Sequence, residues 1–307
     1  MSLSSIQSRL RLYFIKRILG CKGGLSTNAA REVCLYLVAD VFLPFLAEKK
    51  HLVLISPATC TRKVKKEAGV MGGCFCLLDY CRVFYIEKPG EDEDRGRAAA
   101  LLRTDTMERE DIEEMKTLHA LPTVLKHQNY VYIFAGKTKK CEKLSIWDHQ
   151  FTVLPNKAPS KFYKAQGCVF RNKLYITTKD QKPNLLQFDP ETELFLSAGL
   201  SSITSKSPIL ISLSEEIIHF DSFFVCRWRV ASSGAEQQPP VIGNLLQICM
   251  SEGWALDRGP EDRFSISLTC PVREGQRLYF LSAWSEEEAR LTVFQEAQQR
   301  IESRVIE

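Results

Sequence analysis

After residue 30, short apolar runs bounded by polar turns recur along the chain. Runs of four to eight apolar, β-branched and aromatic residues between turn formers read as strands, and helical periodicity is scarce over the same stretch. The pattern predicts an all-β chain. Within it one unit repeats: an apolar strand, a tight polar turn, then a second strand carrying an aromatic or aliphatic pair. Thr123–Phe134 followed by Ala135-Gly136 is the clearest case. Gly73–Ile86, Gly167–Ile176 and Ile209–Phe220 repeat it, as does Ser267–Cys270 continued by Glu274–Leu281. The pairs Val83/Phe84, Val131/Tyr132, Leu174/Tyr175, Ile217/Ile218 and Leu278/Tyr279 lie 48, 43, 43 and 61 residues apart.

A third element follows each hairpin. Asn184-Leu-Leu-Gln-Phe-Asp-Pro-Glu-Thr192 is the best example, and Asn244-Leu-Leu-Gln-Ile-Cys249 repeats its first four residues. Leu52–Thr59 shares its Pro-x-Thr turn, while Glu142–Trp147 and Ala289–Phe294 fill the same slot. Phe151–Pro155 reads as a fourth strand. A four-stranded sheet of this kind cannot bury both faces alone. Stacking such sheets in a closed ring buries both and leaves only short edges, and about 40–50 residues per unit is the period of propeller blades. Five units are visible after residue 70. Glu32–Leu37 and Val41–Leu46 supply two strands ahead of Leu52–Thr59, which makes six blades; five is the alternative count, with residues 31–46 a helical module. The wide spacing predicts an insertion, placed at Phe223–Val230 and the polar stretch Ser232–Pro240.

Part of this pattern resembles the kelch repeat. Ala135-Gly136 stands where that family has a double glycine, Trp147 stands on the third strand, and Leu154-Pro155 matches the motif's end. The blades around Tyr175, Ile218 and Tyr279 lack the glycines, and the Gly-His to Trp-Asp signature of the other common propeller repeat is absent. The resemblance implies a six-bladed kelch-type β-propeller over residues 31–307, preceded by a short helix or linker over residues 1–30. It also implies a display function, in which rigid blades present variable loops to a protein partner.

Composition narrows the classes. Of 307 residues, 41 are Lys or Arg and 37 Asp or Glu, so the formal charge of +4 leaves no strongly basic stripe for nucleic acid. Basic runs (Arg62–Lys66, Lys137–Lys140) alternate with acidic ones (Glu91–Asp94, Glu108–Glu114), as on solvated loops. The 11 cysteines have no paired spacing. Cys34, Cys74, Cys76, Cys168 and Cys226 sit in apolar runs and read as small buried hydrophobes of a reducing compartment. No apolar run reaches the length of a membrane span. Residues 1–30 carry no acid, several Ser and Arg9, Arg11, Lys16 and Arg17. That segment reads as an amphipathic helix available for self-association through Leu3, Ile6, Leu10 and Phe14, or as a mitochondrial transit sequence; otherwise the expected location is cytoplasmic.

Candidate chemistry is sparse. His51, His119, His127, His149 and His219 form no metal-ligand spacing, no phosphate loop or nucleophile motif occurs, and Asp148, Asp189 and Asp221 fall where turns are expected. No catalytic, cofactor or metal residue is assigned; the copper-oxidase use of kelch propellers finds no marked Tyr/His set here. The expected function is a non-enzymatic protein scaffold. Its contact candidates are Arg227, Trp228 and Arg229 in the supposed insertion, with Trp254 and Arg258 beyond it, because Trp and Arg dominate binding hot spots. The alternative is a substrate receptor of a ubiquitin ligase, of the F-box- or BTB-kelch kind.

Overall fold

Six sheets, antiparallel but for one added strand in the sixth, follow one another along the chain in the computed structural model. It describes residues 43–46, 52–65, 70–79, 81–87, 97–136, 138–161, 165–177, 184–200, 209–220, 224–231, 234–238, 241–242, 245–257, 272–274, 276–284 and 289–306. The first sheet contains β1 (Leu43–Leu46), β2 (Leu52–Ile55) and β3 (Arg62–Lys65). The second contains β4 (Val70–Asp79), β5 (Arg82–Glu87), β6 (Ala99–Arg103) and β7 (Arg109–Asp111). The third runs β8 (Thr123–His127), β9 (Tyr130–Phe134), β10 (Cys141–Ser145) and β11 (Phe151–Val153). The fourth runs β12 (Gly167–Phe170), β13 (Lys173–Thr177), β14 (Asn184–Asp189) and β15 (Leu194–Leu200). In the fifth, β16 (Ile209–Ser212), β17 (Glu216–Phe220) and β18 (Phe224–Ala231) are closed by β19 (Gly234–Gln237) and β20 (Val241–Ile242), which pair with successive parts of β18 on either side of Pro239-Pro240. The sixth contains β22 (Val272–Glu274), β23 (Arg277–Trp284), β24 (Ala289–Gln295) and β25 (Arg300–Val305), with β21 (Ala255–Asp257) added parallel to β25.

Alternation along the second strands explains why they are apolar at consecutive central positions. On β5, Val83 and Tyr85 pack toward the first sheet, while Phe84 and Ile86 pack toward the third. On β9, Val131 and Ile133 face the second sheet and Tyr132 and Phe134 the fourth. β23 divides the same way, with Leu278 and Phe280 toward the fifth sheet and Tyr279 and Leu281 toward the first. A strand sandwiched between two neighbours must be hydrophobic on both faces. The six core clusters are six such seams, and the last joins Leu43, Val53 and Ile55 to Tyr279, Leu281, Leu291 and Val293. That seam closes the ring, so the molecule is a six-bladed β-propeller, which decides the count against five.

The turns repeat too. The amide of Met107 donates to Arg103 O, that of His149 to Ser145 O and that of Glu193 to Asp189 O, each donor residue having positive φ. The turn after β2 has the same construction, Cys60 to Ser56, in keeping with the shared Pro-x-Thr. Asp148 and Asp189 cap their turns by accepting from the amides of Gln150 and Glu191; Asp221 lies outside the described residues.

Four expectations change. Asn244-Leu-Leu-Gln does not continue as a strand: Leu245–Ser251 is α1, the one α-helix among the described residues, and its Leu245, Ile248 and Cys249 enter the fifth–sixth seam at helical spacing. This helix sits late in the chain, and the N-terminal helix expected over 1–30 lies outside the described residues, as does Glu32–Leu37. The supposed insertion is instead blade: Phe224–Ala231 and Gly234–Gln237 are the third and fourth strands of the fifth sheet, and the long spacing holds α1 and β21. Trp147 lies beyond β10, in the turn to β11, rather than on the strand. The sixth blade's inner strand is Val272–Glu274, and Ser267–Cys270 is outside the described residues. Among the described residues no helix is long and apolar enough to cross a membrane.

Candidate functional site

The described residues form a channel where the inner strands meet and a face that carries the hairpin turns. The channel cavity measures about 510 Å3 and is lined by Pro44 and by residues of β4, β8, β12, β16 and β22. Leu77, Leu125, Val169, Leu210 and Val272 make its wall largely apolar. Close approach of β8 and β12 requires Gly167, where a Cβ would lie 2.7 Å from Leu125 Cδ1 and 3.0 Å from the Tyr175 carbonyl oxygen. Toward the strand ends the lining becomes polar, with Asp79, Lys126, Ser212 and Arg273. Asp79 pairs with Arg82 at 2.7 Å; burial disfavours its charge, but the guanidinium and the Cys81 amide together hold the carboxyl below its ordinary range. Arg273 donates to the Ser212 carbonyl and pairs with Glu296 at 2.5 Å, tying the fifth blade to the sixth.

The turn face is assembled by short backbone bonds between turns of one blade. Ile146 N donates to Asn129 O, Thr104 N to Cys81 O and Glu296 N to Gln276 O. Trp147 stands on this face, 79% exposed, more than any other large hydrophobic side chain described. Its turn is held by His149 N to Ser145 O, Gln150 N to Asp148 Oδ1 and Ile146 N to Asn129 O. Beside it, His149 Nε2 lies 3.4 Å from Arg82 Nη1 and its Nδ1 3.7 Å from Glu110 Oε1, linking the second and third blades.

The residues singled out from sequence are dispersed. Trp228 is fully buried in the fourth–fifth seam and stacks on His219 with ring centroids 5.7 Å apart. Arg227 is held by Glu216, whose Oε2 accepts from Nε at 2.8 Å, and by Glu252 just beyond α1, so its charge fastens the helix to the blade. Those carboxylates raise its pKa further above the ordinary guanidinium value. Arg229 is exposed and borders a shallow cavity of about 420 Å3 with Arg171, Glu215 and Glu216. Trp254 is half-buried against Phe294, 6.0 Å between centroids. Arg258 lies outside the described residues. The repeat pattern places Trp147 among the motif residues and not among the contacts; its position after the strand, in Trp-Asp-His-Gln, is the available signal of exposure.

A buried polar cluster sits apart from both regions. Glu142 accepts from the amides of Lys116 at 2.8 Å and Thr117 at 2.5 Å and from the Thr117 hydroxyl. His119 donates from Nδ1 to Ala135 O at 2.6 Å, and its Nε2 lies 2.9 Å from Thr117 Oγ1 and 3.2 Å from Glu142 Oε1. Glu142 and His119 are wholly buried. The cluster opens onto no cavity described above and binds the loop before β8 to the third blade. Among the described residues no three His, Cys, Asp or Glu side chains are grouped to hold a metal ion. The described cysteines are free thiols, and burial pushes Cys141 to about 11 and Cys249 to about 12. No protein-family model matches the chain, and no curated protein matches it.

Proposed function

We propose that the chain is a non-enzymatic, degenerate kelch-type propeller that binds a protein partner through its turn face, with Trp147 as the anchor. The observation that carries this reading is an indole left 79% in contact with water on a turn braced by three hydrogen bonds. A rigid, exposed aromatic loses little conformational entropy on binding and supplies much of the contact area of a hot spot. His149, two residues on in the same turn, brings Arg82 and Glu110 to it, the polar groups that the rim around such an anchor requires. The kelch origin is supported by Ala135-Gly136. Gly136 has φ +90° and sits where a Cβ would be 2.7 Å from the Ala120 carbonyl oxygen, so this remnant of the repeat keeps a glycine's task.

The test is affinity capture from the native cell with wild-type and Trp147→Ala chains. Because the side chain is exposed, the variant should unfold within about 0.5 kcal/mol of wild type while its specific partners are lost. An unchanged partner set would remove Trp147 from the reading. A cullin or Skp-type adaptor among the captured proteins would turn the scaffold into a ubiquitin-ligase receptor.

A further inference from the structure

The channel carries a separate signal. Each blade after the first presents its inner strand and leads directly into a hairpin turn, so the late residues of these strands share one mouth. There the charges do not balance. Asp79 is matched by Arg82, and Arg273 by Glu296. Lys126 is exposed to the cavity and has no carboxylate partner among the described residues. Its ionisable neighbour Cys76 supplies no compensating charge: burial pushes that thiol to about 12, although Lys126 acts to lower it. Below this ammonium the shaft is apolar, and Leu77, Leu125, Val169 and Val272 are only half-buried because they face the cavity. A volume of about 510 Å3 is that of a small-molecule site. A five-residue strand such as β8 spans about 16 Å at about 3.3 Å per residue. That length accommodates an extended chain of about twelve carbons, which advances about 1.3 Å per bond along its axis.

We infer that the propeller channel binds a linear alkyl carboxylate, its chain along Leu77, Leu125, Val169 and Leu210 and its carboxylate at the Lys126 ammonium. The site is distinct from Trp147, so the two readings stand or fall separately. Purified full-length protein is titrated calorimetrically with dodecanoate and with dodecyltrimethylammonium, both below micelle formation. The expected result is saturable binding of one dodecanoate, preferred over the cation by about tenfold, the scale of one charge-assisted hydrogen bond. Lys126→Met should abolish that preference while alkyl binding persists. Val169→Trp should block both ligands, and Val169→Phe, a smaller plug, should weaken both; thermal unfolding verifies that each variant is folded. Trp147→Ala should bind dodecanoate as wild type does. The inference is overturned if folded wild-type protein shows no saturable binding, if Lys126→Met keeps the preference, if a folded plugged variant binds normally, or if Trp147→Ala loses the ligand.

Discussion

Glu142 shows how one buried charge can hold a loop to a blade. Burial alone would push its carboxyl pKa up; hydrogen bonds from His119, Thr117 and the Lys116 amide outweigh that and hold it below the ordinary carboxylate range. The folded value is depressed, so the group's contribution to stability is complete above the unfolded value of about 4.3. It is lost as pH falls through the lower folded value. Glu142→Ala strands His119 and two backbone amides, and should cost about 3–5 kcal/mol at neutral pH. Urea unfolding at pH 7 and pH 3 should show the wild-type advantage shrinking in acid; an advantage equal at both values would contradict the assignment. Tryptophans mark the contrast at this scale. Trp228, at 0% exposure, belongs to a seam, while Trp147 belongs to the surface, and residue type alone does not separate them.

At the scale of elements, one tetrapeptide takes two structures. Asn184-Leu-Leu-Gln begins β14, where Leu185 faces the fifth blade and Leu186 the third, two neighbours on opposite sides. The same four residues at 244–247 run into α1, where Ile248 and Cys249 continue the apolar face begun by Leu245. The residues on the C-terminal side of the tetrapeptide decide between the two: Phe-Asp-Pro extends the alternation and ends it in a turn, whereas Ile-Cys adds positions i+3 and i+4 to a helical stripe. The Ala135-Gly136 corner is the element with the tightest backbone. Gly136→Ala would combine a positive φ with a Cβ against the Ala120 carbonyl, and should destabilise by about 1–3 kcal/mol. Its midpoint in chemical denaturation should fall accordingly, and a midpoint equal to wild type would show that the corner can relax.

The whole molecule is held by a ring of seams. Among the described residues, the first and sixth blades share no strand, so closure rests on apolar side chains packed between β1, β2, β23 and β24. Arg304 adds a bond from Nη1 to Pro57 O at 3.1 Å across the same seam. Leu281 is fully buried there, and Leu281→Ala should cost about 2–5 kcal/mol. Because every blade depends on two neighbours, the loss should lower one common transition. Far-ultraviolet circular dichroism and tryptophan fluorescence should therefore shift together. Separate midpoints would mean that the sixth blade detaches while the others persist.

The amino-acid sequence by itself determined the second strands and the blade period, because a strand covered on both faces must be apolar at consecutive positions and that demand repeats with every blade. Five anchor pairs found in this way all lie on second strands. The glycine corner and the Asp turns were legible for the same local reason. Tertiary structure alone decided where the extra length of the fifth-to-sixth interval goes, which tryptophan is buried, and that Arg227 spends its charge on Glu216 and Glu252. It also assembled the channel. Leu77, Leu125, Val169, Leu210 and Val272 come from five blades, and their common wall is invisible in any local pattern. Local spacing reports which faces of a strand are covered; ring closure decides what covers them.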